Sequence, residues 1–396
     1  MPLLAPVLEA ARTRKETMRR ALQPAQLAAW RSVFLARWWL PLPVAPGQPR
    51  RPPERHVHVA VDGTSHSIEL STGAHFVLAA AAAIGPEPVG QRTAADMEVI
   101  PARYEEADAA TARDLMMQLL ETAIANQAGA LLAEEGRSAE AILWLDGSLH
   151  SSLVHLAGAP GPLFEDRAVA GDGRQRTRWA LNVERATNLL RFKANLFEIA
   201  QRTGLWLVAV AKTQRAGFLF DALAATPEGQ TQARAERMAD GELLAAAPAG
   251  WSWPVILDAG TLPAVPQAVA EWLGSAPAIV SCYVRPHLAD LPLRIDVPAG
   301  LLGLQDRLLP AGAGQNGPPE PRWAPDPDLM RPVVEAVLTS YGGVHAYNAP
   351  LYAVDRLVRL SRHELETRYL PICARIIGVE PSVLSVDRGR RRFLIS

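Results

Sequence analysis

Two aspartates each close a run of β-branched or aliphatic residues and each precede a glycine: Asp62 in V-H-V-A-V-D-G-T at 57–64 and Asp146 in A-I-L-W-L-D-G-S at 141–148. Such runs are strand signals, and Gly at the next position lets the backbone turn without a Cβ penalty. Both acids are therefore expected at strand ends. If the two strands are neighbours in one sheet, the carboxylates share a site suited to a hard divalent cation and to phosphodiester chemistry. One Asp-Gly pair is only a turn; its recurrence after a second apolar run is what makes a site worth building. Lys212 ends the apolar run L-W-L-V-A-V-A-K. A lone cation there would face a cleft and bind a phosphate or assist attack by water, the bland alternative being a strand-end lysine that snorkels to solvent.

The elements that would position these residues follow from periodicity. Residues 56–84 divide into strand, turn and strand, H-V-H-V-A-V-D-G-T, H-S-I-E-L and H-F-V-L-A-A-A-A-A-I, spaced closely enough to be antiparallel neighbours. An amphipathic helix from about 107 to 135 leads into the strand at 141, and a second from 179 to 202 stops at Gly204 before the strand ending at Lys212. Helix into buried strand is an α/β crossover. A-I-V-S-C-Y-V-R and L-P-L-R-I-D-V-P read as a hairpin, and a Gly/Pro-rich linker at 310–327 precedes two C-terminal helices and the basic tail R-G-R-R-R-F. Residues 2–39 read as one or two helices interrupted at Pro24, joined to the body by a Pro-rich linker. The domain division is an arm with its linker at 1–50 and a body at 51–396. Trp38 and Trp39 suit either core packing or a partner surface.

Composition sets outer limits. A chain of 396 residues that is 49% hydrophobic can bury a full core. A formal charge of −1 excludes a uniformly basic coat, so any nucleic-acid contact must come from local arginines. Arg174, Arg176 and Arg178 precede Trp179 in what reads as a mobile basic loop, where arginines would neutralise phosphates and the indole would stack on a base, the blander and favoured reading of Trp179 being the first buried residue of the following helix. Arg285 and Arg294 on the hairpin would touch backbone phosphates, or simply be solvated. The only cysteines, Cys282 and Cys373, form no C-x-x-C pair, which leaves no thiolate zinc site or disulfide framework. His56, His58 and His66 surround the first acid without zinc spacing. No stretch approaches a membrane span and no secretory signal is evident, so the cytoplasm is the expected location.

Taken in order, V-D-G-T at 61–64, L-D-G-S-L at 145–149, V-A-K-T at 210–213, Y-V-R with L-R-I-D-V-P at 283–298, and Y-N-A-P-L-Y-A-V-D-R-L-V-R-L-S at 347–361 resemble the NurA family of nucleases. The layout is that of an α/β, ribonuclease H-like mixed sheet flanked by helices, with an N-terminal helical arm and C-terminal helices. The resemblance implies a manganese-dependent 5′ to 3′ exonuclease and single-strand endonuclease acting on DNA. It also implies a homodimer coupled to the HerA hexameric ATPase in DNA end resection. Carried over by motif, Asp62 and Asp146 are the first two acids, and Glu121 on the preceding helix is the third. Tyr347 and Asp355 match a Tyr and a metal-binding His or Asp eight positions later, with Asn348 where a proline commonly follows the Tyr. Asp62, expected on the central strand, would bridge two ions; Asp146 and Glu121 would complete one shell and Asp355 the other. Aspartate in place of histidine leaves Mg2+ as an alternative to Mn2+. The competing expectations are a silent ribonuclease H-like clamp or adaptor on DNA and, more remotely, a sugar kinase-like ATPase, against which no G-x-x-x-x-G-K-S/T loop appears.

Overall fold

The apolar runs all enter one mixed sheet of eleven strands. The computed structural model describes residues 4–17, 25–46, 56–102, 106–150, 173–212, 215–231, 238–257, 278–304 and 321–379. Helices α1 (Leu4–Thr13) and α2 (Ala25–Arg37) and strand β1 (Trp39–Leu40) come first. Strands β2 (Val57–Glu69), β3 (His75–Ile84) and β4 (Gln91–Ile100) follow, then helix α3 (Glu106–Glu134), strand β5 (Ala141–Asp146), helix α4 (Gly173–Thr203) and strand β6 (Trp206–Ala211). The remainder contributes short helices α5 (Phe218–Ala224) and α6 (Asp240–Leu244) and strands β7 (Gly250–Ser252), β8 (Val255–Leu257), β9 (Ile279–Arg285), β10 (Leu293–Pro298) and β11 (Arg322–Trp323). Helices α7 (Arg331–Thr339), α8 (Ala349–Val358) and α9 (Leu370–Ile377) close the described chain.

The sheet order is β1-β7-β9-β10-β6-β5-β2-β3-β4, with β8 also on β9. β2 runs antiparallel to β3 and parallel to β5, and β5 is parallel to β6. This is the ribonuclease H-like arrangement, extended on one side by the β9–β10 hairpin. Strands β5 and β6 are apolar on both faces because helices cover both. On one face Val59, Val61, Leu143 and Leu207 pack with Ile124 and Leu132 of α3 and Leu189 and Leu196 of α4. On the other, Ala60, Trp144, Val208 and Val210 pack with Val334 and Val337 of α7 and Leu351 and Val354 of α8.

Several expectations change. H-S-I-E-L is not a separate strand: β2 continues unbroken from Val57 to Glu69, and Asp62 pairs with Ala82 in mid-strand. Gly63 keeps a φ outside the positive range, so nothing turns the chain there, and the alanines of β3 offer it continuous in-register partners. Gly147, at φ +95°, is a true turn and does end β5. The third antiparallel strand is β4, Q-R-T-A-A-D-M-E-V-I, which lies at the sheet edge with most residues at least partly exposed and so lacks an apolar signature. Residues 174–179 belong to α4 rather than to a loop. The C-terminal part holds α9 in addition to the two helices expected. Trp38 is core: it stacks on Trp323 at 4.2 Å and meets Trp253 edge-on at 5.5 Å, while Leu27, Trp30 and Phe34 of α2 are buried beside it. Residues 310–320 of the anticipated 310–327 linker and the basic tail lie outside the described residues. Cys282 and Cys373 are free and buried, as expected.

Candidate active site

Parallel pairing of β2 with β5 runs from Val57 opposite Ala141 to Val61 opposite Leu145. The next row is Asp62 beside Asp146, and because paired residues of parallel strands share a face, both carboxylates point to the same side. That row is also where β5 ends. Asp62 is only 6% exposed. Burial pushes its pKa up to about 7, aided by the charges of Asp146 and Asp355; the Gly63 N–H, donating to Asp62 Oδ1 at 2.8 Å, and Lys212 act in the other direction.

Asp146 sits among donors. The Gly147 N–H donates to Oδ1 at 3.0 Å, the Tyr347 hydroxyl donates to Oδ1 at 3.3 Å, and Lys212 Nζ lies 3.1 Å from Oδ2. Lys212 also lies 4.5 Å from the centre of the Tyr347 ring. Burial, then the charge of Asp146, drives the Tyr347 phenol far above its ordinary range, so it serves as a hydrogen-bond donor and not as a base. Its loop ends in Asn348, which is fully buried and accepts the Leu351 N–H at 3.0 Å. Asn348 is thus the N-cap that starts α8, the helix carrying the half-buried Asp355 over β2. Asparagine in place of the usual proline is explained locally by that cap.

Glu121 reaches the cluster from the opposite face of the sheet, and Gly63 makes this feasible. A Cβ built on Gly63 would lie 2.5 Å from Glu121 Oε1 and 2.7 Å from its Cγ. The missing side chain is a window through which the α3 carboxylate enters the field of Asp62. Burial pushes Glu121 up to about 8, with repulsion from Asp62 next, while Lys193 on α4 offsets part of it. Lys193 is in turn lowered to about 8 by burial, with Glu121 holding it up. Sequence reasoning missed Lys193 because a lysine inside a long polar helix carries no signal of facing another helix. The α3–α4 contact is fixed by Asn126, whose Nδ2 donates to Phe192 O and whose Oδ1 accepts from Asn195 Nδ2, both at 2.9 Å.

The structure brings Asp62, Glu121, Asp146, Lys212, Tyr347 and Asp355 toward one another from both faces of the sheet and from five elements: β2, α3, β5, the end of β6, and α8 with the loop before it. Carboxylates offer hard oxygen donors, the kind that Mn2+ and Mg2+ take. Among the described residues no three of His, Cys, Asp or Glu stand close enough to make a ready metal cage. The chemistry of the donors fits a divalent cation, and their spacing is more open than a closed site.

The arginines divide differently. Arg294 is 2% exposed, with Nε 2.8 Å from Asp296 Oδ1 and its guanidinium 4.7 Å from the Phe218 ring centre. It is an interior ion-pair partner, not a contact for backbone phosphates, because β10 is covered on both faces. Arg285 directs its guanidinium to the carbonyls of Ala247 at 2.6 Å and Leu288 at 2.9 Å, which stiffens the hairpin. The side chains of Arg174, Arg176, Arg178 and Trp179 lie outside the described residues. His58 accepts a hydrogen bond from Trp144 Nε1 at 3.1 Å and His66 bonds Leu360 O at 2.6 Å, both away from the acids. No helix among the described residues is long and apolar enough to cross a membrane.

The NurA domain pattern matches residues 56–360. No curated protein matches the chain. The crystal structure of the NurA nuclease from Sulfolobus solfataricus superposes with a TM-score of 0.52 at 14% identity, covering 93% of this chain and 97% of that one. The crystal structure of NurA bound to dAMP and manganese gives 0.54 at 13% identity, covering 97% and 99%. At such identities the likeness is one of fold. The family match covers well over half of the chain, taking in every strand of the sheet but β1 and every element of the cluster, and on that ground the chain belongs to the NurA family.

Proposed function

We propose that this chain is a metal-dependent deoxyribonuclease, with 5′ to 3′ exonuclease and single-strand endonuclease activity. We propose further that it works as a homodimer with a HerA-type hexameric translocase in DNA end resection. The observation that carries the reading is the convergence of Asp62, Asp146, Glu121 and Asp355 at the point where β5 ends, flanked by Lys212 and Tyr347. Family membership and a neighbour crystallised with dAMP and manganese support a nuclease role and a divalent ion.

Asp62 and Asp146 would hold the cations between them, with Glu121 and Asp355 completing the shells from either face. When bound, the ions supply a nucleophilic hydroxide near neutral pH and stabilise charge on the attacking and leaving oxygens. Lys212, half-exposed beside Asp146, would neutralise a non-bridging phosphate oxygen. Tyr347 stays protonated and gives its one hydrogen to Asp146, which would fix the rotamer of that carboxylate. Glu121 and Asp62 each take up protons near neutral pH, so cation binding must expel them, and activity should rise from about pH 6 to about pH 9.

The test is degradation of end-labelled single- and double-stranded DNA by wild type and Asp62→Ala with Mn2+, Mg2+ or chelator, with and without the translocase. Metal-dependent cleavage by wild type alone is expected. The open spacing of the carboxylates favours one rival, a silent clamp or adaptor on DNA. Binding of DNA by both proteins with no cleavage under any condition would establish that rival instead.

A further inference from the structure

The turn that leaves Asp146 is fastened from two strands away. Gly147 donates its N–H to Val210 O at 3.0 Å and passes the chain into Ser148, Leu149 and His150. Ser148 Oγ then donates to Asp296 Oδ2 at 2.5 Å, and the His150 N–H donates to the same oxygen at 3.2 Å. Asp296 belongs to β10, with β6 lying between it and β5. Its other oxygen accepts from Arg294 Nε at 2.8 Å and from the Ser281 hydroxyl on β9. The side chain is completely buried. Although burial pushes its pKa up, Arg294 and the two hydroxyls outweigh that and hold it below the ordinary carboxylate range.

Arg294 alone would neutralise this carboxylate, and Ser281 would complete the contact within the hairpin. The two further bonds serve neither strand pairing nor charge balance within the hairpin; they reach the backbone immediately after Asp146. A turn containing glycine has many conformations, and only an external anchor selects one of them. We infer that Asp296 is a positioning residue: through Ser148 and His150 it sets the backbone that carries Asp146, and thereby the orientation in which Asp146 meets a divalent cation. This rests on the cluster being a metal site. Groups that orient a ligand without touching the ion commonly change metal affinity or activity about 10–100-fold when removed.

Replacing Asp296 itself would leave Arg294 buried without its partner and risk the fold. Two serines provide the cleaner comparison. Ser148→Ala and Ser281→Ala each delete one hydroxyl donor to the same carboxylate, but only Ser148 lies on the Asp146 turn. Mn2+ binding is measured by titration calorimetry on the full chain, alongside melting temperature and binding of single-stranded DNA in chelator. Ser148→Ala should weaken Mn2+ binding about 10–100-fold, while Ser281→Ala binds Mn2+ as wild type does, with similar losses of melting temperature and unchanged DNA binding in both. Equal weakening in the two variants, or wild-type Mn2+ affinity in Ser148→Ala, overturns the positioning role while leaving the metal site standing. Wild type that binds no Mn2+ removes the metal site itself, and this inference with it.

Discussion

Gly63→Ala separates the approach of Glu121 from everything else at the site. The added Cβ would stand 2.5 Å from Glu121 Oε1, and ordinary contact begins at 3.4 Å, so the carboxylate must retreat by about 0.9 Å. The backbone has no objection, since Gly63 sits inside β2 with a φ outside the positive range. An alanine here even reduces the freedom of the unfolded chain, worth about 0.4–1 kcal/mol toward stability. Against that stands a crowding cost of about 1–3 kcal/mol, because Cγ, 2.7 Å from the added Cβ, must swing away together with the carboxylate. Net stability should therefore fall by no more than about 2.6 kcal/mol, and the fold survives. The chemistry should not: misplacing a reacting group by about 1 Å can cost on the order of 10²-fold in rate. The assay is single-turnover cleavage of labelled single-stranded DNA at saturating Mn2+, with thermal melting as control and Glu121→Gln as the reference for complete loss of the carboxylate. A variant that melts like wild type and cleaves within about threefold of it, while Glu121→Gln is inactive, refutes the window argument.

Three other expectations rest on separate features. Lys212→Ala should leave melting unchanged, because an ion pair this exposed contributes little, yet slow cleavage by about 10²–10³-fold; a normal rate would remove Lys212 from the site. Asp62 and Glu121 bind protons more tightly in the folded chain than in the unfolded one, so their contribution to folding is complete below the ordinary carboxylate range. It is lost as pH rises through about 7 and about 8. In chelator the melting temperature should fall from about pH 4 to about pH 8 and level off above that, and Mn2+ should raise it more at the upper end; a flat profile that Asp62→Asn does not alter counts against the crowded carboxylates. Arg294→Met strands Asp296 in the core and should cost about 3–5 kcal/mol. If Arg294 instead contacted phosphate, the melt would hold and the salt dependence of DNA binding would shrink.

Much of the site could be read along the chain because its parts obey local rules. The apolar runs of β5 and β6 are long and uninterrupted, which only strands covered on both faces require, and their ends fall at Asp146 and just before Lys212. Where local rules fail, a neighbour supplies what the sequence withholds. β4 carries no apolar pattern because it is an edge strand, and it exists only because β3 offers it a ladder. Arg294 and Arg285 look alike as hairpin cations; one is interior with Asp296, and the other ties the hairpin carbonyl of Leu288 to that of Ala247 ahead of β7.

By itself, then, the sequence determined which residue types were available for such a site and where β5 and β6 would end, since strand periods and a glycine turn such as that at Gly147 are properties of short segments. Tertiary structure decided the rest. It carried β2 past Asp62 because β3 lay in register beside it. It gave Gly63 its purpose as an opening for Glu121, brought Lys193 against that glutamate, and tied the Asp146 turn to Asp296 two strands away. The physical reason is range: a residue's own backbone preference is set within a few neighbours, whereas the field around a buried carboxylate is set by whatever the fold places within a few ångströms of it.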